Sequence, residues 1–283
     1  MVGSDVPMTR NPFSFLLRGK PLFWAGLGAV LLLNACAATP DTPPAPDSLG
    51  VMSQAPQGPD TYLQRPEDYV AQVAYWGNLY DRDPRDGAVA LNYGRNLRYV
   101  KRFQEAVAVL SKAVALHDSD AQLLAEYGKV LTAAGRTAEG AAYLEKANNL
   151  QQGNWVTLSA QGVALDQLGD HEQASVKYQE ALKASPGNPA ILNNLALSRA
   201  LAGDLTAAES HLRAAVNTPQ ATPQMRQNLA LVLGLKGDLA GARYYAAMDL
   251  PPPAVEENIA NLKRLQATQA SPWSQLQALE QTP

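Results

Sequence analysis

The sequence predicts an all-α protein: an α-solenoid of five helix-turn-helix repeats with a C-terminal capping helix. Three observations predict it. Small residues recur every 34 positions, at Gly94, Gly128, Gly162, Ala196 and Ala230. The loop glycines Gly135, Gly169, Gly203 and Gly237 keep the same interval. Ala and Leu dominate the apolar residues while Phe numbers only 4, and small or straight-chain residues favour helix where strands want β-branched and aromatic ones. A period held over five units without a shift is the mark of stacked repeats.

The chain starts with a different signal. Arg10, Arg18 and Lys20 precede the uncharged run "PLFWAGLGAVLLL" at 21–33. A basic stretch followed by a short apolar one is the order of a secretory signal. Counting on to Ala38 gives 18 residues, so length alone leaves an uncleaved anchor open. The single cysteine decides between them. Leu33-Asn34-Ala35-Cys36 resembles the lipobox of bacterial lipoproteins, with Asn34 a less usual residue in it. The resemblance implies cleavage before Cys36, lipidation of Cys36, and a signal peptide over 1–35. Two or more acyl chains anchor stably. Ala37, where an inner-membrane lipoprotein would carry Asp, implies the outer membrane, facing the periplasm of a Gram-negative envelope. One cysteine also rules out an internal disulfide framework.

Residues 36–65 read as a tether. The stretch 39–66 holds seven prolines and little apolar surface, so it buries too little to order itself. A proline-rich ligand for a partner groove is the other reading, though a clean P-x-x-P core with basic flanks is missing. A leading helix is expected over 66–86, stopped by Pro84. Five repeats then fill 87–250.

In each repeat the first helix carries large apolar residues around its small one, as Leu124 and Leu131 do around Gly128. That spacing makes one helical stripe. A glycine turn follows. The second helix places small residues seven apart, Ala174 and Ala181, with Tyr178 between them. Unit five departs from the pattern with Asp249 in place of the last small residue. "PPP" at 251–253 breaks the chain. Val255, Ile259, Leu262 and Leu265 then recur at helical spacing, so a capping helix is expected over 251–269. Residues 270–283 are expected to be a flexible tail.

A net charge of −3 speaks against nucleic acid as a partner, since phosphate binding shows as a basic excess. His117, His171 and His211 have no ligand spacing between them, and no phosphate loop or nucleophile elbow appears. No metal, cofactor, catalytic residue or small-molecule substrate is expected, and the chain is read as non-enzymatic.

The spacing resembles the tetratricopeptide repeat (TPR). With first positions at Gly87, Ala121, Trp155, Pro189 and Pro223, the small and proline positions of that repeat fall on Gly162, Ala174, Ala181 and Pro186. The resemblance implies a protein-binding groove on the first helices. Carrying over the family's groove positions selects Arg95, Arg98, Tyr99, Lys129, Asp166, Gln167, Asn193, Leu197, Leu201, Gln227, Leu231 and Leu235, with Asn194 and Asn228 beside them. That groove runs from basic to apolar and suits a peptide with an acidic part and an apolar anchor. The plainer alternative is that the cations are solvated, the leucines pack on the cap and the asparagines brace the helices.

Two strings narrow the family: "ILNNLALSRALAGDLTAAESHLRAA" (191–215) and "MRQNLALVLGLKGDLAGA" (225–242). They resemble TadD-like lipoproteins of tight-adherence (Flp-type) pilus assembly, over roughly 66–268. The resemblance implies a pilotin-like scaffold for the pilus secretion apparatus and its secretin. A scaffold for another envelope machine, for outer-membrane protein assembly or cell-wall synthesis, is the alternative.

Overall fold

The computed structural model describes residues 66–264 and 266. The signal peptide, Cys36, the tether and the tail lie outside the described residues. Every described element is helical. The leading helix α1 spans Pro66–Arg82. Five helix pairs follow: α2 Gly87–Tyr99 with α3 Phe103–Leu116, α4 Ala121–Ala133 with α5 Thr137–Leu150, α6 Trp155–Gln167 with α7 His171–Ala184, α8 Pro189–Leu201 with α9 Leu205–Val216, and α10 Pro223–Leu235 with α11 Leu239–Ala246. A last helix, α12, covers 252–264.

Each helix pair is held by a small residue facing a large one. A Cβ added at Gly94 would lie 2.5 Å from Leu110, at Gly128 2.7 Å from Leu144, and at Gly162 2.5 Å from the Tyr178 ring. All three distances are below carbon–carbon contact, so only glycine lets these helices approach so closely. The second helices repeat the arrangement with Ala106, Ala174, Ala208 and Ala242, each at most 1% exposed. Gly140 takes that place in unit two.

The turns within the pairs close by the same backbone device. In unit two the Gly135 N–H donates to Thr132 C=O and the Arg136 N–H to Leu131 C=O, at 3.1 and 2.9 Å. These are the two bonds of a Schellman C-cap, and they require a left-handed residue at the turn. Gly135, Gly169, Gly203 and Gly237 supply it with φ between 83° and 94°. Side chains cap the other ends. Asp86, Asp120, Asn154, Asn188 and Thr222 accept backbone N–H bonds at the starts of α2, α4, α6, α8 and α10, satisfying donors that the helix itself leaves open.

The backbones of successive first helices approach one another closely, α2 to α4, α4 to α6, α6 to α8 and α8 to α10, whereas among the described residues those of the second helices stay further apart, Arg213 of α9 and Tyr245 of α11 meeting only through their side chains at 3.4 Å. The first helices therefore form the inner layer of the curve. The apolar core is not one mass. One cluster runs from Val73 to Ala164, a second joins Leu158, Ala174, Tyr178, Ala181, Ile191 and Leu195, and a third runs from Ala196 to Leu262.

α12 closes the array. Its Val255, Ile259 and Leu262 are buried against the third cluster, and the Leu262 side chain lies where a Cβ on Gly234 would be. The departure at Asp249 has a function in this ending. α11 stops at Ala246, so Asp249 lies beyond the helix, where its carboxylate accepts from Arg226 Nε of α10 at 2.8 Å. This ion pair ties the end of unit five to its own first helix.

Candidate protein-binding face

The inner layer is built differently along its length. Over α2 and α4 it centres on Glu126, whose side chain is 1% exposed. Arg98 Nε donates to Glu126 Oε1 at 2.7 Å. Lys129 Nζ lies 2.6 Å and Arg95 Nε 3.6 Å from Oε2. Helix geometry assembles the group. Lys129 is one turn beyond Glu126 on α4, and Arg95 and Arg98 are one turn apart on α2, the neighbouring inner helix. Burial by itself pushes the Glu126 carboxyl up, but Arg98, Lys129 and Arg95 outweigh it and hold the group well below the usual carboxylate range. Tyr99 packs on Tyr69 with ring centroids 4.5 Å apart, and the Arg98 guanidinium lies over the Tyr99 ring.

Over α6 the buried acid is Asp166, and its partners are two hydroxyls and an imidazole. Tyr178 Oη and Ser198 Oγ donate to it at 2.9 and 2.8 Å, and His171 Nδ1 lies 2.9 Å away. The Tyr178 hydroxyl is pushed well above its ordinary pKa by burial, then by the charge of Asp166 and the bond to it. The cluster links α6 and α7 to α8 of the next unit. Gln167 is exposed beside it and accepts from Thr137 Oγ1 at 3.0 Å.

Between α6, α8 and α10 runs a chain of amides. Asn228 Nδ2 donates to Asn193 Oδ1 at 2.8 Å. Asn193 Nδ2 reaches Asn194 Oδ1, and Asn194 Nδ2 reaches Ser159 Oγ, both at 3.4 Å. Gln224 Nε2 donates to Asn228 Oδ1 at 3.1 Å. Asn193 and Asn228 are 5% and 4% exposed, so these amides spend their bonding on one another and brace the inner helices.

The remaining groove positions divide by exposure. Leu201 is 46% exposed. Leu197 is half-buried. Leu231 and Leu235 are half-buried against the core cluster that includes α12, and Gln227 reaches the Ala246 carbonyl at 3.4 Å. The structure therefore brings Arg95, Arg98 and Lys129 together on one carboxylate, and sets the leucines along the C-terminal stretch. The groove positions do not include Glu126, which occupies the sixth place of its repeat. Its signal in the sequence is three cations at inner positions with one acid among them. Among the described residues no three of His, Cys, Asp and Glu are placed to hold a metal ion, and no helix is long and apolar enough to cross a membrane.

Paired helices stacked with their first members inward define an α-solenoid of short repeats, a class whose inner face binds other proteins. The repeats are tetratricopeptide repeats: residues 91–153 and 159–226 match the family described as Tetratricopeptide repeat. No curated protein matches the chain. Solved structures share the fold. The crystal structure of PilW, described as a widely conserved type IV pilus biogenesis factor, aligns with a TM-score of 0.57 and 21% identity, covering 64% of this chain and 84% of that one. A thermophilic TPR protein of Thermus thermophilus aligns at 0.55 and 19%, covering 62% and 98%. The APC/C hetero-tetramer Cut9-Hcn1 aligns at 0.57 and 18%, covering 71% and 40%.

Proposed function

We propose that this chain is a lipid-anchored scaffold that binds components of a Flp-type (tight-adherence) pilus secretion apparatus and helps assemble it, in the manner of a pilotin. The observation that carries this reading is the pair of strings at 191–215 and 225–242, which resemble TadD-like lipoproteins beyond what the repeat alone requires. In the fold these strings form α8 to α11, the part of the array that holds the amide chain and the cap. PilW, described as a type IV pilus biogenesis factor, shares the fold, so the architecture suits the task. The anchor is Cys36, placed at the outer membrane with the repeats in the periplasm. A repeat face that binds without chemistry of its own has to be held beside its client, and the lipid and the proline-rich tether would do that.

Deletion of the gene is expected to abolish surface pili and to deplete secretin multimers; a deletion strain with normal pili would overturn the pilus reading. Cys36→Ala is expected to release the chain from the membrane fraction and to remove the mass of the acyl chains. An unchanged mass and fractionation would refute the anchor.

A further inference from the structure

The leading helix α1 is built as a second helix without its first. Shifted by 34 residues, its Gln72, Tyr75, Trp76 and Leu79 fall on Ala106, Val109, Leu110 and Ala113 of α3. In α3 Leu110 meets Gly94 of the paired first helix, and all four residues are at most 8% exposed. In α1 Tyr75 is 45% exposed, and Gln72, Trp76 and Leu79 are only half-buried. The place of Trp76 is taken in the five pairs by Leu110, Leu144, Tyr178, Leu212 and Ala246, none more than 2% exposed. The other side of α1 is covered in the usual way. Val73 and Tyr80 fall on Val107 and Val114, all four are at most 9% exposed, and the Tyr80 ring packs on Tyr93 of α2. Among the described residues α1 has the backbone of α2 alone beside it. It buries the side it shares with the next unit and leaves open the side that belongs to a first helix.

The two ends of the array differ in this respect. α12 closes the far end and turns Glu256, Glu257, Asn258 and Lys263 outward, the polar face that a terminal unit needs for solubility. α1 turns out an aromatic face. Its Trp76 Nε1 donates to Gln72 Oε1 at 3.0 Å, and Tyr75 stands edge-on to the indole with ring centroids 5.2 Å apart. The indole N–H is satisfied within α1, so an apolar surface can cover the face without stranding that donor.

The sequence and the charge say what kind of cover fits. At the same interval a first helix would fall on 53–65, where the sequence has Pro56 and Pro59, and a helix interior rejects proline. A second copy fits at neither end. Residues 66–86 hold five acids and two arginines, so two α1 faces brought together repel, and α12 would set its charged side on an apolar face.

We infer that α1 is a docking site for a helix supplied by a partner protein, which adds in front of the array as the first helix of a further pair. The repeat specifies that helix. First helices carry large apolar residues four before and three after a small one, as Leu158 and Leu165 do around Gly162. The small residue meets the large one of the second helix: a Cβ on Gly162 would lie 2.5 Å from the Tyr178 ring. Trp76 stands at the place of Tyr178 and is larger, so the partner helix sets a glycine against it. Basic residues at its ends match the acids around α1. The inference rests on the reading of the chain as a protein-binding scaffold, and adds a surface outside the inner face and the class of client it takes.

The test uses the full chain in detergent and fluorescent peptides read by anisotropy. The probe carries the α6 sequence, 154–167, with Asp166→Asn and three lysines appended. One control has leucine at the Gly162 position, and another has three glutamates in place of the lysines. The glycine peptide is expected to bind about tenfold tighter than the leucine peptide, as overpacking against Trp76 implies. The lysine-tailed peptide is expected to bind tighter than the glutamate-tailed one at low salt, a difference that fades as salt is raised. Trp76→Ala makes room opposite the glycine and is expected to accept the leucine peptide as well as the glycine one. Tyr75→Glu, at an exposed position, is expected to lose both. Val176→Ser, at a 51% exposed position on α7, is expected to change nothing, and helix content by circular dichroism separates lost binding from lost fold. No glycine preference in the unmodified chain, a preference that survives Trp76→Ala, or binding lost in Val176→Ser would each overturn the site. A dimer in sedimentation that Tyr75→Glu breaks would give the face to a second copy and overturn it too. A deletion strain with normal pili and an intact glycine preference retires the pilus reading alone; a strain without pili and a chain without that preference retires the docking site alone.

Discussion

Two buried carboxylates on the same inner layer are satisfied in opposite ways. Glu126 sits among three cations, and Asp166 among two hydroxyls and an imidazole. Both are nearly sealed from water, at 1% and 6% side-chain exposure. An ionised group so placed needs partners in either case. The partners differ in what they leave outside. Around Asp166 the donors are spent and the surface gains nothing. Around Glu126 two cations keep an exposed side. A single repeat architecture thus builds one junction from hydroxyls and an imidazole and another from ionic partners.

Breaking each acid gives the largest contrast. Glu126→Gln removes the anion and leaves Arg98 buried with two like charges beside it, and is expected to lower stability by about 3–5 kcal/mol. Asp166→Asn keeps an acceptor for the hydroxyls and is expected to cost about 1–3 kcal/mol. Urea unfolding followed by circular dichroism measures both; equal losses would mean that the cations contribute nothing particular. The pH dependence has a definite sign. The folded Glu126 carboxyl is held below its unfolded value, so its contribution is fully present above the unfolded pKa of about 4.3 and is lost as pH falls toward the folded value. The acid limb of the stability profile is therefore expected to flatten in Glu126→Gln. An unchanged acid limb would place that titration elsewhere.

How much of this was legible in the sequence follows from what periodicity encodes. The 34-residue interval locates helix pairs, turns and close contacts, because packing repeats with the backbone. Gly128 against Leu144 and Gly162 against Tyr178 are readable from spacing alone. Polar partnerships repeat only in part: the helix caps and the Arg102–Glu105 and Arg136–Glu139 pairs keep the interval, while the Glu126 and Asp166 clusters do not. Glu126 stands where units one, four and five carry Asn92, Asn194 and Asn228, so no periodic rule marks it. Asp166 lies at a groove position, yet its partners Tyr178, Ser198 and His171 lie on two other helices. Tyr178 was the available clue, since a tyrosine among small buried residues needs a partner for its hydroxyl. The asparagines fit either a ligand or a brace by spacing, and only the distances between Asn193, Asn194 and Asn228 show that they hold one another.

The two systems can be separated by a smaller change. Gly162 is the small residue of unit three, and its missing Cβ makes room for the Tyr178 ring that donates to Asp166. Gly162→Ala gains helix propensity of up to about 1 kcal/mol, but the added methyl would lie 2.5 Å from the ring. Overpacking of this kind costs about 1–3 kcal/mol, so a modest net loss is expected in thermal unfolding, together with a change in tyrosine fluorescence. The acid limb set by Glu126 is expected to stay as it was, because its partners Arg95, Arg98 and Lys129 belong to a separate cluster from Tyr178 and Asp166. A flattened acid limb in this variant would mean that the two networks are coupled along the inner layer.

The smallest expected effect lies in the turn of unit one, next to the charged face. Units two to five place glycine at the left-handed turn residue, with φ of 83°, 83°, 88° and 94°; unit one has Lys101 there, at φ 62°. The backbone bonds are the same, with the Lys101 N–H donating to Arg98 C=O and the Arg102 N–H to Leu97 C=O, at 3.0 and 2.8 Å. The cap is therefore made, and made with a side chain that strains it. A left-handed residue other than glycine costs about 1–2 kcal/mol, and glycine returns part of that gain through the freedom it gives the unfolded chain. Lys101→Gly is expected to stabilise the array by about 0.5–1 kcal/mol, seen as a small rise in the unfolding midpoint with unchanged helix content. The Lys101 side chain is exposed, so no packing is lost in exchange. A destabilised variant would mean that Lys101 stays for its side chain rather than in spite of its backbone.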